Sequence, residues 1–128
     1  EAEVLTGYSI STKEDMIKAA KKILNMGSKN VLLKGGHFKN KMIFDILVTK
    51  KKIKVFKKRK IRTKNTHGTG CTLSSALATY LSQRKNIYNS CKMSLRYVDE
   101  AITYAPGYGK GFGPLNHLIS FNLKNINE

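Results

Sequence analysis

The chain has 128 residues, enough for one small domain with a real core, and 41% of them are hydrophobic, which excludes disorder on grounds of composition. Lys and Arg number 24 against 8 Asp and Glu, a formal net charge of +16. There is no apolar run of transmembrane length and no secretory signal pattern, and two cysteines make neither a disulfide framework nor a CxxC metal pair, so a reduced, cytoplasmic setting is expected.

In chain order, residues 1–8 read as the end of a strand and the loop after it. Ser11-Thr12-Lys13-Glu14 has the spacing of a capping box, with Ser11 as the cap and Glu14 three positions on. A helix is expected to follow, with Met16, Ile17, Ala20, Ile23 and Leu24 on its apolar face and Gly27 ending it. Asn30 to Leu33 is short and apolar and follows a helix, so a buried parallel strand is expected. Lys34 then sits at the carboxyl end of that strand, before Gly35-Gly36. In open α/β sheets that is where ligands bind. His37 reads as a turn residue.

Residues 41–49 and 53–62 read as two strands joined by a Lys-rich turn, a hairpin whose lysines discourage edge-to-edge pairing. Asp45 within it reads as structural. A helix is expected from Cys71 to about Ser82 and a second from Ile87 to about Tyr104. The second has Cys91, Leu95, Val98 and Ile102 on its apolar face, and Pro106-Gly107 stops it. A Gly-rich loop spans 108–114, residues 115–123 form a short terminal element of undefined type, and Asn122 onward reads as frayed. This order of elements fits an α/β fold: a parallel sheet flanked by helices, with a β-hairpin at its edge.

The basic excess has two readings. One is binding to nucleic acid or another acidic surface, with Lys57-Lys58-Arg59-Lys60 as the patch. The other is codon composition, since Lys, Asn and Ile share A/T-rich codons and all three are frequent. Arg is sparse, and aromatic residues are not interleaved with the basic runs as a stacking surface requires. Composition is the favoured reading, and a nucleic-acid-binding module is the alternative from a different functional class.

Asn65-Thr66-His67-Gly68-Thr69-Gly70-Cys71-Thr72 is the stretch on which the chemistry turns. Two glycines flank Thr69, and a helical pattern begins at once. The first amides of a helix have no intrahelical partner, and the helix dipole puts positive potential behind them. Such a turn suits a phosphate, although many Gly-rich turns merely connect. It is not a Walker A loop, because no Lys-Ser or Lys-Thr follows the glycines.

That stretch, continued through Leu73-Ser74-Ser75-Ala76, resembles the signature of hydroxymethylpyrimidine and phosphomethylpyrimidine kinases, enzymes of thiamine synthesis in the ribokinase-like superfamily. Glu1-Ala2-Glu3-Val4-Leu5-Thr6-Gly7, the Lys34-Gly35-Gly36-His37 strand end and Gly109-Lys110-Gly111-Phe112-Gly113-Pro114-Leu115-Asn116-His117 resemble three further segments of the family, in the family's order. The resemblance implies a partial ribokinase-like fold. Because the chain begins with Glu1 rather than Met, residues 1–128 are expected to be a single C-terminal portion of a kinase domain, with the N-terminal half absent.

The resemblance also implies a reaction. ATP, with Mg2+, phosphorylates the hydroxymethyl group of the aminopyrimidine and then the resulting monophosphate. Cys71 is the implied general base, and a helix start favours the thiolate form of a cysteine. The amides of Gly68, Thr69, Gly70 and Cys71 form the implied anion hole. Lys34 neutralises phosphate charge, and Glu1 helps to place magnesium. The implied partners are the small pyrimidine substrate and either a separate N-terminal half chain or a homodimer partner, with no membrane. The chain is then a segment of a longer kinase, one product of a split gene or a decayed remnant, and it is expected to be inactive alone. A related vitamin kinase acting on pyridoxal is the alternative within enzymes.

Overall fold

A computed structural model describes residues 1–36 and 41–119. His37 and the segment from residue 120 onward lie outside the described residues. The chain divides into two compact units, Glu1–Lys60 and Ile61–Glu128.

In the first unit, α1 (Ala2–Thr6) and α2 (Lys13–Asn25) precede three strands, β1 (Asn30–Leu33), β2 (Met42–Thr49) and β3 (Ile53–Arg59). The expected strand end at residues 1–8 is instead the short helix α1. Its Thr6 hydroxyl donates to the Ala2 carbonyl at 2.7 Å, and Gly7 closes it in the left-handed region at φ 69°, donating its N–H to Glu3 at 2.7 Å. The capping box of α2 sits one residue later than its spacing suggested. Thr12 is the cap, its hydroxyl accepts from the Asp15 N–H, and the Asp15 carboxylate accepts from the Thr12 N–H. Aspartate, one methylene shorter than glutamate, closes the same reciprocal pair. Met16 and Ala20 are buried on α2 as its periodicity predicts, Ile17, Ile23 and Leu24 are partly buried against the same cluster, and Ala19 is buried as well.

The sheet has the order β1-β2-β3. Leu33 pairs with Ile46 and Val31 with Val48, and β2 pairs with β3 from Met42–Arg59 to Val48–Ile53. Both pairings are antiparallel. The expected parallel partner of β1 is therefore not found: β1 takes the next strand in sequence as its neighbour, and among the described residues its other edge pairs with nothing. The hairpin is as expected, with its second strand ending at Arg59 rather than residue 62. Met16 and Ala20 of α2 pack against Val31, Ile46 and Val48 on one face of the sheet.

The second unit holds α3 (Thr69–Ser82) and α4 (Ile87–Thr103), which pack against each other. Asn86 caps α4 by accepting from the Asn89 N–H at 2.9 Å. Cys91, Leu95, Val98 and Ala101 are buried along α4. Ala101 packs with Leu115 and Ile119, and the Asn116 N–H donates to the Ala101 carbonyl at 3.0 Å. The described part of the terminal element is a turn over 117–119.

Candidate active site at the start of α3

Helix α3 begins two residues earlier than its apolar pattern suggested. Gly68 is its N-cap, in the left-handed region at φ 83°, so Thr69, Gly70 and Cys71 are its first three residues. The first intrahelical bond is Thr72 N–H to the Gly68 carbonyl, at 2.9 Å. Thr69 N–H reaches back to the Thr66 carbonyl at 3.4 Å. The amides of Gly70 and Cys71 thus precede the i→i−4 ladder, at the positive end of a fourteen-residue helix. Cys71 is exposed. The other thiol, Cys91, is fully buried, and burial pushes it up to about 11.

Two of the sequence motifs meet at this turn. His67 N–H donates to the Gly113 carbonyl at 3.3 Å, and His67 and Pro114 form an isolated parallel bridge. Gly113 lies directly against the Asn65 side chain, so closely that a Cβ there would collide with Asn65 Oδ1. Lys64 Nζ sits 3.5 Å from the Lys110 carbonyl. The Gly-rich loop 108–114 is thereby laid alongside the 64–68 turn. The clasp joins residues distant in sequence and leaves no local pattern in either segment.

A cavity of about 590 Å3 opens from the same helix start. Gly68, Cys71 and Thr72 line it at the helix start, and Ser75, Thr79 and Gln83 continue the lining along α3. Tyr97 and His117 complete its wall, joined by a bond from the Tyr97 hydroxyl to the His117 carbonyl at 2.9 Å. Among the described residues no Lys or Arg lines it.

Lys34 and Glu1 belong to the first unit. Lys34 is exposed at the carboxyl end of β1, and Glu1 is the exposed N-cap of α1, without a side-chain cap bond. Behind Lys34, Asp45 is wholly buried on β2. Its Oδ1 accepts from the Gly35 N–H at 3.0 Å, and Lys58 Nζ lies 3.5 Å from its Oδ2, an ion pair too long to be a good hydrogen bond. Asp45 therefore shapes the Lys34-Gly35-Gly36 turn, a positioning task that fits its structural reading. The signal was available in sequence, as one carboxylate inside the apolar strand Met42-Ile43-Phe44-Asp45-Ile46-Leu47-Val48.

Among the described residues no group of three or more His, Cys, Asp or Glu side chains comes together as a metal site. Glu1 stands as a single exposed carboxylate at the N-cap of α1. It does not make a metal centre of its own.

A family model described as phosphomethylpyrimidine kinase matches residues 1–116. The chain belongs to this family. It is 44% identical over 120 residues to the thiamine biosynthesis bifunctional protein ThiED of Geobacter sulfurreducens, covering 94% of this chain and 24% of that protein. It is 37% identical over 128 residues to the hydroxymethylpyrimidine/phosphomethylpyrimidine kinase of Bacillus subtilis, covering 99% of this chain and 47% of the relative. Among solved structures, an ADP complex of Bacillus subtilis pyridoxal kinase superposes with a TM-score of 0.88 at 30% identity, over 95% of this chain and 48% of that one. A Staphylococcus aureus pyridoxal kinase in complex with AMP-PCP superposes with a TM-score of 0.85 at 25% identity, over 91% of this chain and 43% of that one. The fold is thus the α/β fold of these kinases, and the chain spans about half the length of the kinase relatives it matches. Among the described residues no helix is long and apolar enough to cross a membrane.

Proposed function

We propose that the chain is the phosphoryl-transfer portion of a hydroxymethylpyrimidine/phosphomethylpyrimidine kinase, acting within a longer chain or beside a separate N-terminal half. The observation that carries this reading is the open start of α3, where the Gly70 and Cys71 amides and the exposed Cys71 thiol share one turn. In this reading residues 1–128 are one C-terminal portion of a cytoplasmic kinase domain.

When bound, ATP supplies the γ-phosphoryl group, and magnesium shields its charge. The amides of Gly70 and Cys71, with that of Gly68, hold the phosphate oxygens as negative charge builds on them, whereas the Thr69 N–H is turned back to the Thr66 carbonyl. Cys71 Sγ takes the proton of the attacking hydroxymethyl oxygen as that oxygen bonds to phosphorus and the bond to the departing ADP breaks. Lys34 offers charge to the nucleotide phosphates, and Glu1 one carboxylate to magnesium. The hydroxymethyl group belongs to the aminopyrimidine in the first step and to its monophosphate in the second.

The Bacillus subtilis pyridoxal kinase, with a TM-score of 0.88, supports one alternative substrate, pyridoxal. The test joins this chain in one reading frame to the half of the Bacillus subtilis hydroxymethylpyrimidine kinase that it does not span. Both substrates are then assayed. The expected outcome is turnover of the pyrimidine above pyridoxal, with Cys71→Ala losing about 10²–10⁴-fold in rate while ATP binding survives. Wild-type rates in Cys71→Ala would remove Cys71 as the base. The chain by itself should show no turnover, and measurable phosphorylation by it would refute that part of the proposal.

A further inference from the structure

The basic residues of this chain are not spread evenly. Of the 24 Lys and Arg in 128 residues, eight fall in the eleven from Lys50 to Lys60 and 16 in the other 117. Codon composition enriches lysine along a whole chain, so it accounts for the general excess and not for this run. From Met42 to Lys60 the one acidic residue is Asp45. It is wholly buried and already faces Lys58 at 3.5 Å, so it cancels little of the charge at the surface.

The fold of the first unit gives the run a shape. Lys50, Lys51 and Lys52 form the hairpin turn before β3, and that turn is closed by its own bonds. The Thr49 hydroxyl accepts from the Lys51 N–H at 3.2 Å and from the Lys52 N–H at 2.9 Å. Strand β3 is the outer strand of the sheet, and successive side chains leave a strand on opposite faces. Pairing places Lys54 opposite Leu47 and Lys58 opposite Ile43 on one face, with Lys57 opposite Phe44 and Arg59 opposite Met42 on the other. All eight basic residues except Lys58 are exposed. Charge therefore lines both sides of one strand and its tip, as a ridge.

Two plainer accounts fall short. Lysines on an outer strand guard it against pairing with another sheet, but that task does not call for three more in the turn. Cover by further polypeptide of the same domain is also a poor account, because lysine is almost never fully buried unless paired.

The residues of the ridge also limit its ligand. Its one aromatic residue, Phe56, is half-buried opposite Asp45, so there is no platform on which unpaired bases could stack. Arg59 is its one arginine, so bidentate reading of base edges has little to work with. A flat bilayer meets one side of a ridge, whereas a duplex groove has phosphates on both sides. We infer that the Lys50–Lys60 ridge binds the phosphate backbone of double-stranded nucleic acid without reading its sequence. The inference is independent of the kinase reading: none of the candidate site residues lies in the run, and its test does not use activity.

The test is fluorescence anisotropy of a short labelled duplex, as DNA and as RNA, titrated with the full chain between about 50 and 200 mM KCl. The expected affinity falls by about 10³-fold across that range, as about six phosphate contacts require. It should be alike for unrelated sequences, and binding to either duplex supports the inference. Lys50→Gln, Lys51→Gln and Arg59→Gln combined should weaken binding at the lowest salt by more than about tenfold and reduce the salt slope by about three. Lys21→Gln, Lys29→Gln and Lys92→Gln combined remove the same charge from exposed positions elsewhere, and should weaken binding less than about threefold. Equal weakening by the two sets overturns the inference, because net charge alone would then be responsible. Absence of binding at the lowest salt, affinity indifferent to salt, or tighter binding to the single strand also overturns it. So does tighter binding to phosphatidylserine vesicles, which would make the ridge a membrane-docking surface. If either combined variant fails to fold, Arg59→Gln alone should still reduce the slope by about one, and an unchanged slope there overturns the inference.

Discussion

The Gly35 N–H donates to Asp45 Oδ1 at 3.0 Å, tying the turn after β1 to the middle of β2. Gly35 is confined there, since a Cβ on it would collide with the Phe44 carbonyl and crowd the Met16 methyl. The contact is buried, so its loss is not repaid by water. Asp45→Ala strands the Gly35 amide, at a cost of about 1–3 kcal/mol. Gly35→Ala should cost about 2 kcal/mol or more, because backbone has to move. Denaturant titration at constant m-value measures both. Wild-type midpoints would show that the turn after β1 does not depend on this bond.

The clasp between Asn65 and Gly113 makes a similar prediction in the second unit. A Cβ on Gly113 would meet the Asn65 amide oxygen, whereas one on Gly111 meets nothing within 4 Å. Gly113→Ala should therefore destabilise by about 1–3 kcal/mol, and Gly111→Ala should stay within about 0.5 kcal/mol of wild type. Thermal melting of the two variants decides it. Equal melting temperatures would mean that the loop 108–114 is not held to the 64–68 turn.

Much of the fold was legible because α2 and α4 have strong helical periodicity and explicit caps. The start of α3 is masked in the sequence because Gly68-Thr69-Gly70 has loop propensities. The left-handed Gly68 turns those residues into a helical first turn. Helix α1 was hidden by its length of five residues, too few for a periodic pattern. The antiparallel pairing of β1 is not legible because a strand of four residues after a helix does not specify its neighbour. At the site, Cys71 and its glycines stand together in sequence. The Gly35–Asp45 and Asn65–Gly113 contacts join residues that are distant in sequence, and no local spacing encodes them.

The capping box of α2 gives a pH-dependent prediction. Hydrogen bonds from the Thr12 hydroxyl, then from the Ser11 and Thr12 amides, hold the Asp15 carboxyl below its ordinary 3.8. A lowered carboxyl pKa stabilises the fold above pH 3.8, and that contribution is lost as pH falls through the lower folded value. Thr12→Ala removes the first of these bonds, so the Asp15 pKa should rise toward 3.8. Carboxyl chemical shifts followed by NMR against pH test this. An unmoved titration in Thr12→Ala would show that the box does not close in solution.

The two thiols should separate cleanly by reactivity. Cys71 is exposed, whereas Cys91 has no exposed surface and burial raises it to about 11. A disulfide reagent such as DTNB at pH about 8 should therefore modify one thiol quickly, and Cys71→Ser should abolish that phase. Cys91 should react only as the chain unfolds. Its raised pKa also has a sign for stability. The fold favours the neutral thiol, so this contribution is complete below pH 9.0 and falls as pH rises toward about 11. Mg-ATP should slow the Cys71 reaction if phosphates seat at the start of α3, and the slowing should be lost in Gly68→Ala, where φ of 83° strains any side chain. Two fast thiols in the folded chain would contradict the packing of α4. A Cys71 rate indifferent to nucleotide would instead count against the anion hole while leaving the fold untouched.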